Sequence, residues 1–158
     1  MPLDHQWIEQ HIPHKGRMCL LDEVLSWDAS RIRCRSVSHQ SPDNPLRAHG
    51  RLGAACGIEY AAQAMAVHGA LVAASAPLTS TLAIGVRRST GPAVGYLASV
   101  RNVALNVLRL DDLETELIAA AERLNGDSRT VMYEFTVSSA RQTLLSGRAS
   151  IVVTANQP

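Results

Sequence analysis

Residues 52–74 read LGAACGIEYAAQAMAVHGALVAA, and this stretch decides how the rest of the chain is arranged. Almost every residue in it is small or apolar, and alanine, leucine and methionine favour the helix. Because no charged face repeats at helical spacing, the stretch predicts a helix that is buried on most sides. Small side chains on such a helix allow a sheet to pack closely around it.

The carboxyl group of Glu59 is the strongest functional signal in this helix. Gln63 and His68 are the only other strongly polar side chains within the stretch. Burial disfavours the charged form of a carboxyl group and raises its pKa, which suits a general acid near neutral pH. We therefore predict that Glu59 is a buried catalytic acid with a raised pKa. The structural alternative is a hydrogen-bond network with Gln63, one turn further along the same face.

Apolar patterns on both sides of the helix predict an antiparallel sheet. A short amphipathic segment ends at Pro13, residues 18–28 and 31–38 indicate a hairpin, and four later strands are predicted over 95–110, 113–124, 129–139 and 142–153. The pair Asn125-Gly126 predicts the tightest turn, and a short strand is possible over Leu82–Val86. The expected fold class is α+β, with a curved antiparallel sheet wrapped around one long helix in a single domain, residues 1–158.

Charge and composition exclude several classes of partner. The net charge is +1 with both signs interleaved, which favours neither nucleic acid nor a membrane surface. No secretory signal is visible, so we expect a cytoplasmic protein. Cys19, Cys34 and Cys56 lack metal-ligand spacing and their odd number argues against a disulfide framework, so free thiols are expected. Without a phosphate loop or a paired cysteine motif, we predict neither metal nor cofactor.

The segments IPHKGRMCLLDEVLSWD (12–28), GIEYAAQAM (57–65) and GYLASVRNVAL (95–105) resemble the hotdog-fold 3-hydroxyacyl-acyl-carrier-protein dehydratases of the FabZ/FabA-like group. Within that group the chain is most similar to the ApeP-like dehydratases of aryl polyene clusters. The resemblance implies dehydration of a 3-hydroxyacyl thioester, carried on the phosphopantetheine of acyl carrier protein, in fatty-acid or aryl-polyene-type biosynthesis. It also implies a dimer, of like or unlike chains, with an acyl tunnel at the interface.

The same resemblance implies roles for individual residues. Glu59 would protonate the departing β-hydroxyl, and a loop histidine from the other chain would remove the α-proton. The family's Gly-His-Phe-Pro sequence is absent here, since Pro45 stands at the histidine position, and His49 is the nearest loop histidine. Gly57 and Ile58 would bind substrate at the start of the helix, where backbone N–H groups hold the thioester oxygen. Gln63 would also bind there or orient the acid.

Other candidate residues keep two interpretations each. His14 matches a family position, where a structural role is favoured over chemistry, and His39 could replace His49 as the base. His68 is expected to be a packed histidine, and Cys56 a packed thiol rather than a nucleophile. The last candidate is a basic patch that would bind acyl carrier protein, formed by Arg87, Arg88 and Arg101. The alternative is that these arginines are simply solvated.

Two alternative functions follow from the same residues. A hotdog acyl thioesterase would use the helix carboxylate to activate water. The loss of the Gly-His-Phe-Pro sequence would instead suit a non-catalytic subunit that shapes the tunnel of an active partner in a dehydratase heterodimer.

Overall fold

Six antiparallel strands form one sheet in the computed structural model, which describes residues 2–76 and 94–154. The strand order across the sheet is β1-β2-β4-β5-β6-β3, so β1 and β3 are the edge strands. The strands are β1 Glu23–Trp27, β2 Arg31–Ser36, β3 Val94–Leu105, β4 Leu117–Gly126, β5 Thr130–Ser139 and β6 Gln142–Thr154. The predicted hairpin and the four later strands are all present.

Two α-helices accompany the sheet in the described residues. Helix α1, His5–His11, begins where the Asp4 side chain accepts a hydrogen bond from the backbone N–H of Trp7 (3.0 Å). Helix α2, Gly57–Ser75, is the long helix predicted from the alanine-rich stretch. It begins later than predicted because residues 52–53 pair with the segment before β4. In this pairing the N–H of Leu110 donates to the Leu52 carbonyl at 2.8 Å. A 3-10 turn at Ala54–Cys56 then leads into the helix.

The core lies between α2 and one face of the sheet. Helix α2 packs against β2, β3, β4 and β5. Buried and exposed side chains alternate along β2, as expected for a strand with one face on the core. The largest side chains that are buried completely are Tyr60, Phe135, Ile8, Leu20, Leu21, Ile32, Leu52, Leu110, Leu117, Leu144, Leu145 and His39. The predicted α+β arrangement, a curved sheet around one long helix, is confirmed.

The turn between β4 and β5 differs from the prediction. Neither Asn125 nor Gly126 has a positive φ angle. The side chain of Asp127 accepts hydrogen bonds from the N–H groups of Arg129 (2.7 Å) and Thr130 (2.9 Å), so the chain turns after Gly126. Gly126 is needed for a close approach instead, because a Cβ there would lie 2.9 Å from the Thr130 carbonyl oxygen. The strand expected over Leu82–Val86 lies outside the described residues.

His68 is the packed histidine that the sequence predicts. It is fully buried, with Nε2 2.9 Å from the Asp28 carbonyl oxygen and Nδ1 2.8 Å from the Tyr133 hydroxyl. Because a carbonyl can only accept, Nε2 carries the proton and Nδ1 accepts from Tyr133. Burial lowers the pKa of His68 and outweighs its hydrogen bond to the Asp28 backbone. The neutral ring therefore joins α2 to the turn after β1 and to β5.

We expect the free energy of unfolding to fall as the pH drops below about 6.5. Burial also lowers the pKa of His39, so His39 and His68 stay neutral in the folded chain at pH values where both are protonated in the unfolded chain. Urea unfolding at pH 7.5 and 5.5 measures the loss, and His68→Gln, which cannot take up a proton, should show a smaller loss. Equal stability of the native chain at both pH values would contradict the assignment.

Candidate active site

Glu59 lies in the first turn of α2 with its side chain only partly buried. The side chain is 31% exposed, and the neighbouring His14 side chain is 29% exposed. The prediction of a buried carboxyl group is therefore wrong. The alanine-rich pattern describes the middle of the helix, whereas Glu59 is two residues from the beginning of α2, where the helix reaches the surface.

Two side chains contact the same oxygen of the Glu59 carboxylate. Nε2 of His14 lies 3.0 Å from Oε1, and the amide nitrogen of Gln63 donates to Oε1 at 3.0 Å. The Gln63 amide is fixed in turn, because its oxygen accepts from the N–H of Leu20 (2.9 Å) and its nitrogen donates to the Met18 carbonyl (2.7 Å). We call Glu59, His14 and Gln63 the carboxylate site.

His14 lies in the segment between α1 and β1, and the contacts of this segment position its side chain at the carboxylate site. Glu9 accepts a hydrogen bond from the N–H of Gly16 at 2.6 Å, and Lys15 donates to the carbonyls of Ile12 (3.0 Å) and Glu9. Gly16 has a φ angle of 59°, which glycine adopts without strain. These contacts hold the segment on the end of α1, and so hold the imidazole of His14 against α2.

The pKa of Glu59 is lower than its ordinary value, and not higher as the sequence suggested. Partial burial raises the pKa, but the hydrogen bonds from His14 and Gln63 and the charge of His14 outweigh that effect. The first turn of a helix also favours a negative charge. Glu59 is therefore ionised at neutral pH, and in the resting protein its carboxylate is ready to accept a proton.

His49 lies at the tip of a tight hairpin on the exposed surface. Its φ angle is 52° and that of Gly50 is 75°, and two backbone hydrogen bonds join Ala48 and Arg51 (3.0 and 3.1 Å). A non-glycine residue with positive φ is uncommon and often marks a functional turn. Within residues 2–76 and 94–154 His49 makes no hydrogen bond to Glu59, so its catalytic role stays a prediction that requires a second chain.

The structure does not favour His39 as a substitute base. Its side chain is buried completely, and Nε2 lies 3.1 Å from the Leu113 carbonyl oxygen. His14, in contrast, was assigned mainly a structural role from the sequence. The signal that could have identified it was its match to a family position, but its distance from Glu59 depends on the folded chain.

Three further residues at the start of α2 have a packing role in the described structure. Gly57 is buried, and a Cβ at this position would overlap the side chain of Leu145 on β6. Ile58 is partly buried against the core. Burial raises the pKa of the Cys56 thiol, which lies 3.7 Å from the Leu46 carbonyl oxygen, as expected for a packed thiol. Roles of Gly57 and Ile58 in substrate binding stay predictions.

A cavity of about 380 Å³ lies elsewhere, over β1, β2, β4 and β5. Trp27, Arg33, Ala120 and Thr136 are among the residues that line it, and Glu59 is not. In the described part of the chain no three histidine, cysteine or acidic side chains lie together as metal ligands would. Among the described helices, none has the length and hydropathy needed to span a bilayer.

A curved antiparallel sheet around one long helix defines a hotdog-fold protein, and in this chain a carboxylate lies in the first turn of that helix. The family model of the ApeP dehydratases matches residues 6–157. The chain belongs to this family, as its resemblance to the ApeP-like dehydratases predicted. No curated protein matches the chain.

Solved structures share the fold at low sequence identity. The dehydratase heterocomplex ApeI:P from Xenorhabdus doucetiae has a TM-score of 0.71 and 20% identity, covering 98% of this chain and 91% of that chain. An HP0420 homologue from Helicobacter felis has a TM-score of 0.61 and 12% sequence identity, covering 99% of this chain and 90% of that chain. A mutant thioesterase from Pseudomonas aeruginosa has a TM-score of 0.56 and 13% sequence identity, covering 85% of this chain and 81% of that chain. The fold is thus shared by dehydratases and thioesterases.

Proposed function

We propose that the protein dehydrates a 3-hydroxyacyl thioester on acyl carrier protein to the trans-2-enoyl thioester, in fatty-acid or aryl-polyene-type biosynthesis. The observation that carries this proposal is the carboxylate site, in which His14 and Gln63 hold Glu59 in the first turn of α2. Membership of the ApeP dehydratase family supports the reaction class.

The ionised state of Glu59 changes which group removes the α-proton: the sequence suggested a loop histidine, whereas an ionised Glu59 can accept this proton itself. Elimination of water breaks the α-C–H and β-C–O bonds, and the leaving hydroxyl takes up a proton. We assign the α-proton to Oε2 of Glu59, which has no hydrogen-bond partner in the described residues. The neutral carboxyl group then protonates the departing hydroxyl, which leaves as water, and Glu59 is again ionised. His49 remains the candidate to contact the substrate from a second chain.

Two features at the start of α2 support stabilisation of the thioester oxygen. The helix has no side-chain cap, and Gly57 adds no Cβ to its first turn. The N–H of Gly57 itself donates to the carbonyls of Ala54 and Ala55 in the preceding 3-10 turn, so the proposal relies on the N–H groups that follow it and on the helix dipole. Backbone N–H groups at a helix start stabilise negative charge, such as the charge that develops on a thioester oxygen during α-proton removal. In this proposal Gly57, Ile58 and Gln63 line the acyl group, and the phosphopantetheine arm lies beyond them.

The edge strand β3 supports a dimer. β3 pairs with β6 on one side and has no strand on its other side within the described residues. Apolar side chains on or next to it are exposed, among them Tyr96 (59%), Leu105 (49%) and Leu108 (93%). A free edge with exposed apolar side chains is a pairing surface. We propose that a second hotdog chain, like or unlike, pairs there, and the heterocomplex with which this chain shares its fold favours an unlike chain.

A thioesterase is the second candidate, because the side chain of Glu59 is 31% exposed and its carboxylate is ionised, so that water can reach it. An ionised carboxylate can remove a proton from water as well as from carbon. Water activation would release a free acid and a thiol, whereas dehydration leaves the thioester intact.

Product analysis with a 3-hydroxyacyl-acyl carrier protein tests the proposal. We expect the absorbance of an enoyl thioester to appear without release of free thiol. The protein is assayed alone and with a second hotdog protein of the dehydratase class. Thiol release without enoyl product would establish the thioesterase, and a chain that is inert alone but accelerates the second protein would be the non-catalytic subunit.

A further inference from the structure

We propose that His14 is a positioning residue for Glu59: its Nε2–H donates to Oε1 and leaves Oε2 as the oxygen that faces the substrate. The inference rests on the proposed function, since it assigns a role within the same site. It places a histidine from the same chain beside the acid, independently of any histidine that a second chain supplies.

The hydrogen-bond pattern fixes the tautomer of His14. Nε2 is the ring nitrogen that contacts the carboxylate (3.0 Å), and an ionised carboxylate can only accept, so Nε2 carries a proton. Nδ1 is buried and has no partner within the described residues. The hydrogen bond from Nε2–H to Oε1 is therefore the contact that orients the ring of His14.

The same pattern selects the reacting oxygen of Glu59. The Gln63 amide cannot rotate by about 180° without losing its hydrogen bonds to Leu20 and Met18, so its nitrogen is the atom that donates to Oε1. His14 donates to that oxygen as well. Two donors on Oε1 stabilise the charge and hold the carboxylate plane, and Oε2 is left to exchange protons with a substrate.

His14 is also the group whose charge acts on Glu59. On α2, the neighbouring Cys56 and Tyr60 are neutral, because burial raises the pKa of each. On the segment before β1, the ammonium group of Lys15 is bonded to the carbonyls of Ile12 and Glu9. Among the described residues, His14 is thus the titratable partner that lowers the pKa of Glu59.

Three variants separate positioning from a merely structural role. His14→Leu removes the donor, His14→Gln restores an N–H donor without a titratable ring, and His11→Leu changes an exposed histidine at the end of α1. We expect His14→Leu to reduce kcat about tenfold or more, as for loss of a hydrogen bond to a charged group, and to move the acid limb of the pH–rate profile upward. His14→Gln should recover part of kcat, and His11→Leu should match the native chain.

A second readout does not depend on activity. The carboxyl carbon of Glu59, labelled with 13C and assigned with Glu59→Gln, is titrated by NMR in each variant, with circular dichroism as the check of folding. A higher carboxyl pKa in His14→Leu supports the inference even if no variant dehydrates the thioester, in which case the proposed function alone fails. Unchanged titration and an unchanged pH–rate profile in His14→Leu, with native dehydration, would overturn the inference. If His14→Leu does not fold, the same criteria apply to His14→Gln, in which the charge of His14 is absent.

Discussion

Replacement of Glu59 by glutamine is expected to reduce the rate of dehydration by about 10²- to 10⁴-fold and to leave the fold intact. The glutamine amide has the shape of the carboxyl group, and its oxygen can accept the hydrogen bonds that His14 and Gln63 give to Oε1. The amide cannot take up the α-proton, so the chemical step is lost while the packing is retained. Enoyl absorbance under single-turnover conditions measures the rate, and thermal unfolding measures the stability.

Glu122→Gln is the matched control for this experiment. Glu122 lies on β4 and its carboxylate is 3.2 Å from Arg31, with both side chains well exposed. Exposed ion pairs contribute little to stability, so this variant should retain native turnover and native unfolding. A Glu59→Gln protein that is folded and works within about twofold of the native rate would remove Glu59 from the mechanism, since general acid–base groups contribute far more.

Replacement of Gln63 by alanine is expected to lower the free energy of unfolding by about 2 to 4 kcal/mol. The amide is completely buried and satisfies the N–H of Leu20 and the carbonyl of Met18. Without it, the N–H of Leu20 and the carbonyl of Met18 lose their partner and Glu59 Oε1 loses one of its two donors, so the segment that holds His14 is released from α2. Activity should therefore fall together with stability. Urea unfolding of the folded variant gives the free energy.

Gln40→Ala provides the comparison for the buried amide. The Gln40 amide also donates to two backbone carbonyls, those of Leu113 (3.2 Å) and Glu114 (2.7 Å), but its side chain is exposed. Water can replace these bonds, so a loss of about 1 kcal/mol or less is expected. Equal losses for Gln40→Ala and Gln63→Ala would show that burial of the Gln63 amide does not matter to stability.

The elements of the fold could be predicted because their signals are local. The alanine-rich stretch predicted α2, and the alternation along the strands predicted the hairpin and the four later strands. The β4–β5 turn was misplaced because its geometry depends on the side chain of Asp127 rather than on the Asn125-Gly126 pair. Family motifs then connected these elements to the hotdog fold.

The carboxylate site could be predicted only in part. Glu59 and Gln63 are one helical turn apart, so their contact follows from the sequence alone. His14 is 45 residues from Glu59 in the sequence, and their contact depends on how α1 and the next segment pack on α2. The direction of the Glu59 pKa shift was predicted wrongly for the same reason, since hydrogen bonds from His14 and Gln63 outweigh burial.

A structure with a non-reactive 3-hydroxyacyl pantetheine amide tests the central claim most directly. We predict that the acyl group lies at the start of α2 beside β3, with its β-hydroxyl and α-carbon within about 3.5 Å of Glu59 Oε2, the separation from which reacting groups proceed. An acyl group bound instead in the cavity lined by Trp27, Arg33, Ala120 and Thr136, with Glu59 in open water, would contradict the account.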